Sequence, residues 1–465
     1  MRKEGIEKDE AFRDYALNMN MWKVLLRIGT PLALYQALNT LYKMLDSLMA
    51  SHINAEAVST VAYLSQINIL VSSVGAGLAM GSSLKISEAY GAGDYDLVRK
   101  RVSSLFAMCG ILDIMIFVLI PFTPWLLRLS RTPEELILGG STYFAVELAG
   151  LAVTFFNNAY IAVERARGNT RKIFWLNMIV IMLKLVLTAV FVYVLECGIT
   201  MIAVAGVISQ TVLLVMGICS ILQKGSAFCF DRGSVDLRKA TIGPLVGISF
   251  PVIVEKAAFS AGKVIVNSMC SAYGVLTVGA LGICNNITGL FANAQSGYQE
   301  GAAAIISQNL GGGKPGRALE AFFKIFVINL IFGTVGLVIS FCSIDVLSYL
   351  YSYSSEGINL EFQIIIKGIF RYDAIGTIIP WGISASVMAF FYGLGKTKKI
   401  LVINLCRLFA FRIFLLWILQ RYTSLGSESV GIVMMASNTL TAILSCILVI
   451  FDLRVFRKEH DLMKN

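Results

Sequence analysis

Apolar residues run along this chain in long blocks, broken at intervals by short clusters of charge, glycine and proline. Blocks such as Leu105–Pro121, Ile173–Leu195, Met201–Leu222 and Phe322–Cys342 approach the roughly 20 mostly apolar residues that a helix needs to cross a bilayer core. The pattern predicts twelve spans: 23–50, 60–89, 102–121, 137–161, 173–195, 200–222, 243–272, 275–307, 322–342, 361–392, 400–419 and 430–451. Composition points the same way. Hydrophobic residues make up 57% of the chain, mean hydropathy is +0.74, and charged residues reach 15%, against about 25% in soluble domains. A water-soluble fold of 465 residues cannot keep that much apolar side chain from solvent. The expected fold class is an all-α polytopic membrane protein.

The net charge of +10 would on its own fit a nucleic-acid partner, but its distribution excludes that reading. Basic residues collect in alternate connections: Arg99–Arg101, Arg165–Lys172, Lys224–Lys239, Lys314–Arg317, Lys396–Lys399 and the tail from Arg454. The opposite connections offer Arg128, Arg131 and Arg421. Positive charge retained inside then puts both termini in the cytoplasm of a multi-pass plasma (inner) membrane protein, which requires an even number of spans. Met1–Tyr15 is studded with charge and lacks the uninterrupted apolar region of a signal peptide, so residues 1–22 read as a cytoplasmic amphipathic segment. Nine cysteines without paired spacing, and two distant histidines (His52 and His460), predict neither disulfides nor a metal site.

The two halves repeat. Gly91-Ala-Gly-Asp answers Gly311-Gly-Gly-Lys, and Gly29-Thr-Pro31 answers Ser249-Phe-Pro251, both at an offset of 220. Gly168-Asn-Thr-Arg-Lys answers Gly395-Lys-Thr-Lys-Lys at 227, and Ser209-Gln-Thr answers Ser437-Asn-Thr at 228. Two six-span halves with the same orientation predict two pseudo-symmetric lobes, 23–223 and 243–451, around a central cavity, as alternating access requires. A cytoplasmic linker, 224–242, would join them, and 452–465 would form a cytoplasmic tail. The glycine-rich turns lack the phosphate-cradling Gly-x-x-x-x-Gly-Lys-Ser/Thr pattern, so ATP is not an expected partner.

Several of these segments together resemble the multidrug and toxic compound extrusion (MATE) transporters of bacterial type. They are Glu88-Ala-Tyr-Gly-Ala-Gly-Asp, Arg167-Gly-Asn-Thr-Arg, Ala205-Gly-Val-Ile-Ser-Gln, Ile306-Ser-Gln-Asn-Leu-Gly-Gly-Gly-Lys and Gly393-Leu-Gly-Lys-Thr. The resemblance covers nearly the whole chain. It implies export of small organic compounds by a monomeric protein in the bilayer, driven by inward H+ or Na+, with no other cofactor.

Ionisable residues inside spans are costly and normally face a cavity or a partner. Gln36, Asn39, Lys43 and Asp46 share a narrow face of span 1. Ser249, Lys256, Ser260, Lys263 and Asn267 form a stripe about 60° wide on span 7, with Glu255 beside it. Asp373, Thr377 and Ser384 share a face of span 10. Lys184 lies about eleven residues from either end of span 5, too deep to reach the interface easily; pairing with Asp46 or Asp113 is the expectation. Asn286 and Asn293 of span 8 are cavity candidates, as are Gln36, Asn39, Lys184, Lys256, Lys263, Asn267 and Thr377. Pro31 and Pro251 free backbone carbonyls and are candidate hinges.

The resemblance adds roles. It implies an acidic cation-coupling residue at Asp46 in the N-terminal lobe, and a second acidic pair at Glu255 and Asp373. Where its sodium-binding members carry Asn, Asp and Thr, this chain has Lys184, Thr188 and Gly206. A fixed ammonium in that position opposes Na+, so H+ is the better expectation, with Na+ at Asp46 or at Glu255 and Asp373 as the other reading. The intramembrane lysines also fit an alternative, a flippase or exporter of an anionic lipid-linked or phosphorylated precursor. An intramembrane enzyme is a distant third, since no nucleophile constellation, histidine cluster or paired aspartate motif is present in the spans.

Overall fold

Every predicted span is helical. The computed structural model describes residues 2–51, 55–129, 134–223, 225–354 and 357–460. The helix α1 (Arg2–Asn18) precedes the first series: α2 (Met21–Ser51), α3 (Ala55–Ala92), α4 (Tyr95–Leu119) with its continuation α5 (Thr123–Leu129), α6 (Glu134–Arg167), α7 (Thr170–Ala189) and α8 (Ile199–Ile221). The second series begins with α9 (Lys239–Cys270), α10 (Val275–Gly311), α11 (Pro315–Ser352) and α12 (Leu360–Gly393). It ends with α13 (Thr397–Leu405), which passes through π-helical turns at Cys406–Ile413 into α14 (Phe414–Tyr422), and with α15 (Glu428–Glu459). Among the described residues, ten of the spans meet the length and hydropathy needed to cross a membrane unaided. One antiparallel ribbon of two residues a side, Tyr353–Ser354 with Gly357–Ile358, joins α11 to α12.

The repeat is visible in the backbone. Gly93, Gly168, Gly313 and Gly395 all take positive φ, between 68° and 81°. Each is followed by an amide that closes back onto the preceding helix: Asp94 onto Ala89, Asn169 onto Glu164, Lys314 onto Asn309 and Lys396 onto Phe391, at 2.8 to 3.1 Å. This is a left-handed helix stop. Glycine is required there because other side chains are strained at that φ. The glycine motifs are therefore turns between spans.

The chain forms two compact units, Met1–Met19 with Leu41–Ala257, and Asn20–Thr40 with Ala258–Asn465. The boundaries fall inside α2 and α9, and the helix crossings within each unit explain why. In the second unit, a Cβ on Gly297 of α10 would lie 2.6 Å from the Ala33 nitrogen, and one on Gly301 would lie 3.3 Å from the Gly29 Cα. In the first unit, a Cβ on Gly77 of α3 would lie 2.8 Å from the Ile253 backbone, and one on Gly81 would lie 2.6 Å from the Ser249 Cα. Those four pairs correspond at the same 220-residue offset. Small residues thus let backbones touch, and each early half-helix is fastened by them. Gly297→Val should lower the melting temperature in detergent by the equivalent of about 1–3 kcal/mol, since overpacking a tight contact costs that much. A melting temperature equal to that of the parent would refute this account of the crossing.

At one end of the first unit, α1 is docked rather than trailing. Asp9 is 1% exposed. Its carboxylate accepts from Arg167 Nε at 2.6 Å, Ser226 Oγ at 2.8 Å and the Ala227 amide at 3.1 Å, and its backbone carbonyl accepts from Tyr90 Oη. Arg13 Nε donates to the Gly91 carbonyl at 3.0 Å, and the Phe12 ring lies directly on Gly168. Between α8 and α9, Asp236 turns back on its own segment. Hydrogen bonds from the Thr241 hydroxyl and the Arg238 amide hold its carboxyl below the usual carboxylate range. Asp9→Asn should reduce unit stability by about 1–3 kcal/mol through loss of a buried charge-assisted hydrogen bond. Thermal unfolding of the variant beside wild type checks this.

Candidate functional site

In the second unit, polar side chains on α12, α10, the π-helical turns and α15 meet around Asp373. Asp373 and Thr377 lie one turn apart on α12 and so face the same way. Thr377 Oγ1 donates to Asp373 Oδ1 at 2.7 Å, and Thr288 of α10 places its hydroxyl 3.2 Å from Oδ2. Asn438 Nδ2 of α15 donates to Thr377 Oγ1 at 3.0 Å. Arg412 Nη2 in turn donates to Asn438 Oδ1 at 3.0 Å, while its Nε donates to Ser437 Oγ at 3.2 Å. Every donor in the series points the same way, from guanidinium to amide to hydroxyl to carboxylate. Asp373 is 1% exposed and Arg412 8%. A carboxyl and a guanidinium are thus buried with neutral groups between them, and both ends keep hydrogen bonds.

The π turns explain how Arg412 reaches this place. Residues five apart on an α-helix point about 140° from each other. A π turn bonds i to i+5 and brings them nearer alignment, so Arg407 and Arg412 are both buried. The Arg407 guanidinium lies over the Phe259 ring at 4.4 Å and over the Trp381 ring at 4.6 Å. Trp381 is fixed by Nε1 donating to the Ala292 carbonyl at 3.1 Å.

In the first unit, Lys184 of α7 sets its ammonium over the Tyr42 ring at 4.7 Å. A Cβ on Gly206 of α8 would lie 3.4 Å from Lys184 Cε and 3.7 Å from Nζ. The end of the lysine thus packs beside the glycine, at ordinary van der Waals distance from where a Cβ would stand. Thr188 is fully buried one turn further along α7. Of the two partners expected for Lys184, Asp113 on α4 is 3% exposed and neither of its oxygens has a hydrogen-bond partner. The pairing with Asp46 falls on a side chain outside the described residues.

The side chain of Asp46 lies outside the described residues. Glu255 and Lys256 are half-buried in the first unit, whereas Asp373 belongs to the second. Lys263, Asn267 and Asn286 are exposed in the second unit, with Lys263 Nζ 5.1 Å above the Phe259 ring. Asn293 donates to Thr40 Oγ1 at 2.8 Å, a helix-to-helix contact, and the Gln36 carbonyl accepts from the same Thr40 hydroxyl at 3.0 Å. Asn39 is half-buried nearby. Pro31 and Pro251 lie inside continuous helices. Sequence reasoning missed Arg412, Arg407, Thr288 and Asn438. Two arginines within the apolar run 400–419 were the available signal.

This twofold architecture can be set beside known proteins. A family model described as MatE matches residues 31–190 and 251–418, two segments that begin at the same 220-residue offset as the internal repeat. The chain belongs to the MatE family. This MatE protein is 20% identical over 366 residues to the probable multidrug resistance protein YoeA of Bacillus subtilis (strain 168), covering 77% of this chain and 79% of the relative. A solved structure described as the outward-facing conformation of a multidrug resistance MATE family transporter matches it with a TM-score of 0.90 at 19% identity, covering 98% of this chain and all of the other. A second, from Pyrococcus furiosus Vc1 (DSM3638), matches at 0.88 and 19%, covering 95% and 98%. Its description says that the reverse polarity of its binding pocket suggests a different function for that transporter. The MatE chain is accordingly an all-helical, multi-pass membrane protein with the twelve-span fold of these transporters.

Proposed function

We propose that this protein is a secondary active exporter of small amphipathic organic compounds, antiporting them against H+ by alternating access, with Asp373 as the proton-carrying carboxyl. The observation that carries the reading is the relay from Arg412 through Asn438 and Thr377 to Asp373. A carboxylate with a resident guanidinium in its own hydrogen-bond network has little left to offer a metal cation, whereas a proton needs only one oxygen. Lys184 supports the same choice in the first unit, where its ammonium packs beside Gly206. The basic connections favour both termini in the cytoplasm of a plasma-membrane protein, and we take it to work as a monomer without ATP. Efflux of a dye panel from proteoliposomes, with pH and Na+ gradients imposed separately, tests the proposal. Export driven by the pH gradient alone, and lost in Asp373→Asn, is the expected result. Export that follows the Na+ gradient at constant pH would overturn it.

A second reading, export of an anionic or phosphorylated compound, draws on Lys184 and on Arg407, each held against aromatic rings. The neighbour whose pocket is described as reversed in polarity makes that reading worth an arm of the same experiment. Faster pH-driven export of anionic than of cationic dyes would favour it.

A further inference from the structure

In the first unit, a recess of about 300 Å³ opens between α4, α6 and α8. Its walls are almost wholly apolar: Phe106, Phe156, Leu214, Ile218, Leu222 and, from the segment after α8, Phe230. The Phe106 and Phe156 rings stack at 6.3 Å, and Phe230 meets Phe106 edge-on at 6.4 Å. The segment is pinned there by the Phe230 amide, which donates to the Ile221 carbonyl at 3.1 Å, and by Ser103 Oγ, which accepts from the Asp231 amide at 3.1 Å. The floor includes buried Asn157, whose Nδ2 is spent on Gln210 while its Oδ1 has no partner.

Two walls run out of the recess towards basic charge. On α4, the recess residues Phe106 and Ala107 are preceded by Ser103 and Ser104, which bond the segment, and one turn before those by exposed Lys100. On the segment itself, Phe230 is followed two residues later by exposed Arg232. Asp231 and Asp236 also lie on this rim: Asp231 bonds Ser234 and Gly233, and Asp236 bonds Thr241 and the Arg238 amide, with the charges of Arg238 and Lys100 acting on it. On the other side, the outer face of α4 continues as Ile111, Ile114, Met115 and Val118, all at least 50% exposed, a surface that a bilayer covers with hydrocarbon. The recess therefore has an apolar path at one end and cations at the other.

We propose that this recess is a binding site for one anionic phospholipid, with an acyl chain packed between Phe106, Phe156 and Leu214 and the headgroup phosphate facing Lys100 and Arg232. A phospholipid matches both ends at once: it buries hydrocarbon against the aromatic walls and neutralises the rim charge. Phe230 makes the segment joining α8 to α9 part of the site, so a seated lipid stiffens that segment against α4.

The test compares retained lipid in the full-length protein, exchanged from nanodiscs of phosphatidylcholine alone or mixed with phosphatidylglycerol into detergent and read by native mass spectrometry. Wild type is expected to keep one phospholipid, choosing phosphatidylglycerol over phosphatidylcholine by roughly ten- to thirtyfold, the order that two basic residues near an anionic headgroup supply. Ala107→Trp, which fills the recess, should remove the retained lipid. Lys100→Gln with Arg232→Gln should keep a lipid but bring the headgroup preference to about one. Leu214→Phe is the milder filling variant should Ala107→Trp not yield a monodisperse protein. Equal retention in wild type and the filled variant, equal retention of the two lipids by wild type, or displacement of the lipid by a transported cationic dye would each overturn the proposal.

Discussion

Removing both charges of the relay, as Asp373→Asn with Arg412→Gln, is expected to give a protein more stable than either single variant and yet unable to export against a pH gradient. Each single change leaves one charge buried without its counterpart, a loss of about 3–5 kcal/mol where a buried pair is broken. The double variant removes both charges and so recovers most of that stability, and the coupling energy from the cycle measures how strongly the two ends sense each other across Asn438 and Thr377. Transport separates from stability here. If Asp373 carries the proton, neither Asp373→Asn nor the double variant exports against a pH gradient, however well it folds. Thermal unfolding gives the first quantity and proteoliposome efflux the second. A double variant whose loss of stability equals the sum of the two single losses would show that the two charges are independent.

The second large effect concerns Lys184. Exchanging Lys184→Asn, Thr188→Asp and Gly206→Thr together should create an oxygen-lined site where an ammonium now sits 4.7 Å over Tyr42. The triple variant should become more stable in sodium chloride than in choline chloride, by about 2.7 kcal/mol at a hundred times its dissociation constant, whereas wild type should not distinguish the two salts at this position. Gly206→Thr alone should behave differently. Its new side chain would press on Lys184, whose Cε lies 3.4 Å from the position of a Cβ, and destabilise the protein in both salts. Equal melting of the triple variant in the two salts would show that these three positions do not by themselves form a Na+ site.

The twelve spans were legible because each is a local property, a run of apolar residues long enough to cross hydrocarbon. The repeat was legible because its glycines sit at a fixed offset, and Gly93 and Gly313 take left-handed φ as turns. Asp373 and Thr377 could be paired from sequence, being one turn apart on a single helix. Arg412 could not be assigned to them. Its partner Asn438 lies 26 residues along the chain and the carboxylate lies on α12, and its direction depends on π winding that no apolar period reveals. Asn293 shows the opposite failure: an amide that looked available is bonded to Thr40, 253 residues away. Asp9 is the plainest case. In a run dense with charge it reads as a solvated residue, and only Arg167, Ser226 and the Ala227 amide make it a buried one.

That last feature sets an order of events during synthesis. Asp9 precedes Tyr90 by 81 residues, Arg167 by 158 and Ser226 by 217. At about 5–20 residues per second, the ribosome takes roughly 10–40 s after making Asp9 to deliver Ser226. During that interval the first helix has no seat, while six spans enter the bilayer. Its docking is then one of the last steps in building the first unit, a seal that closes only when α3, α6 and the segment beyond α8 have arrived in the right register.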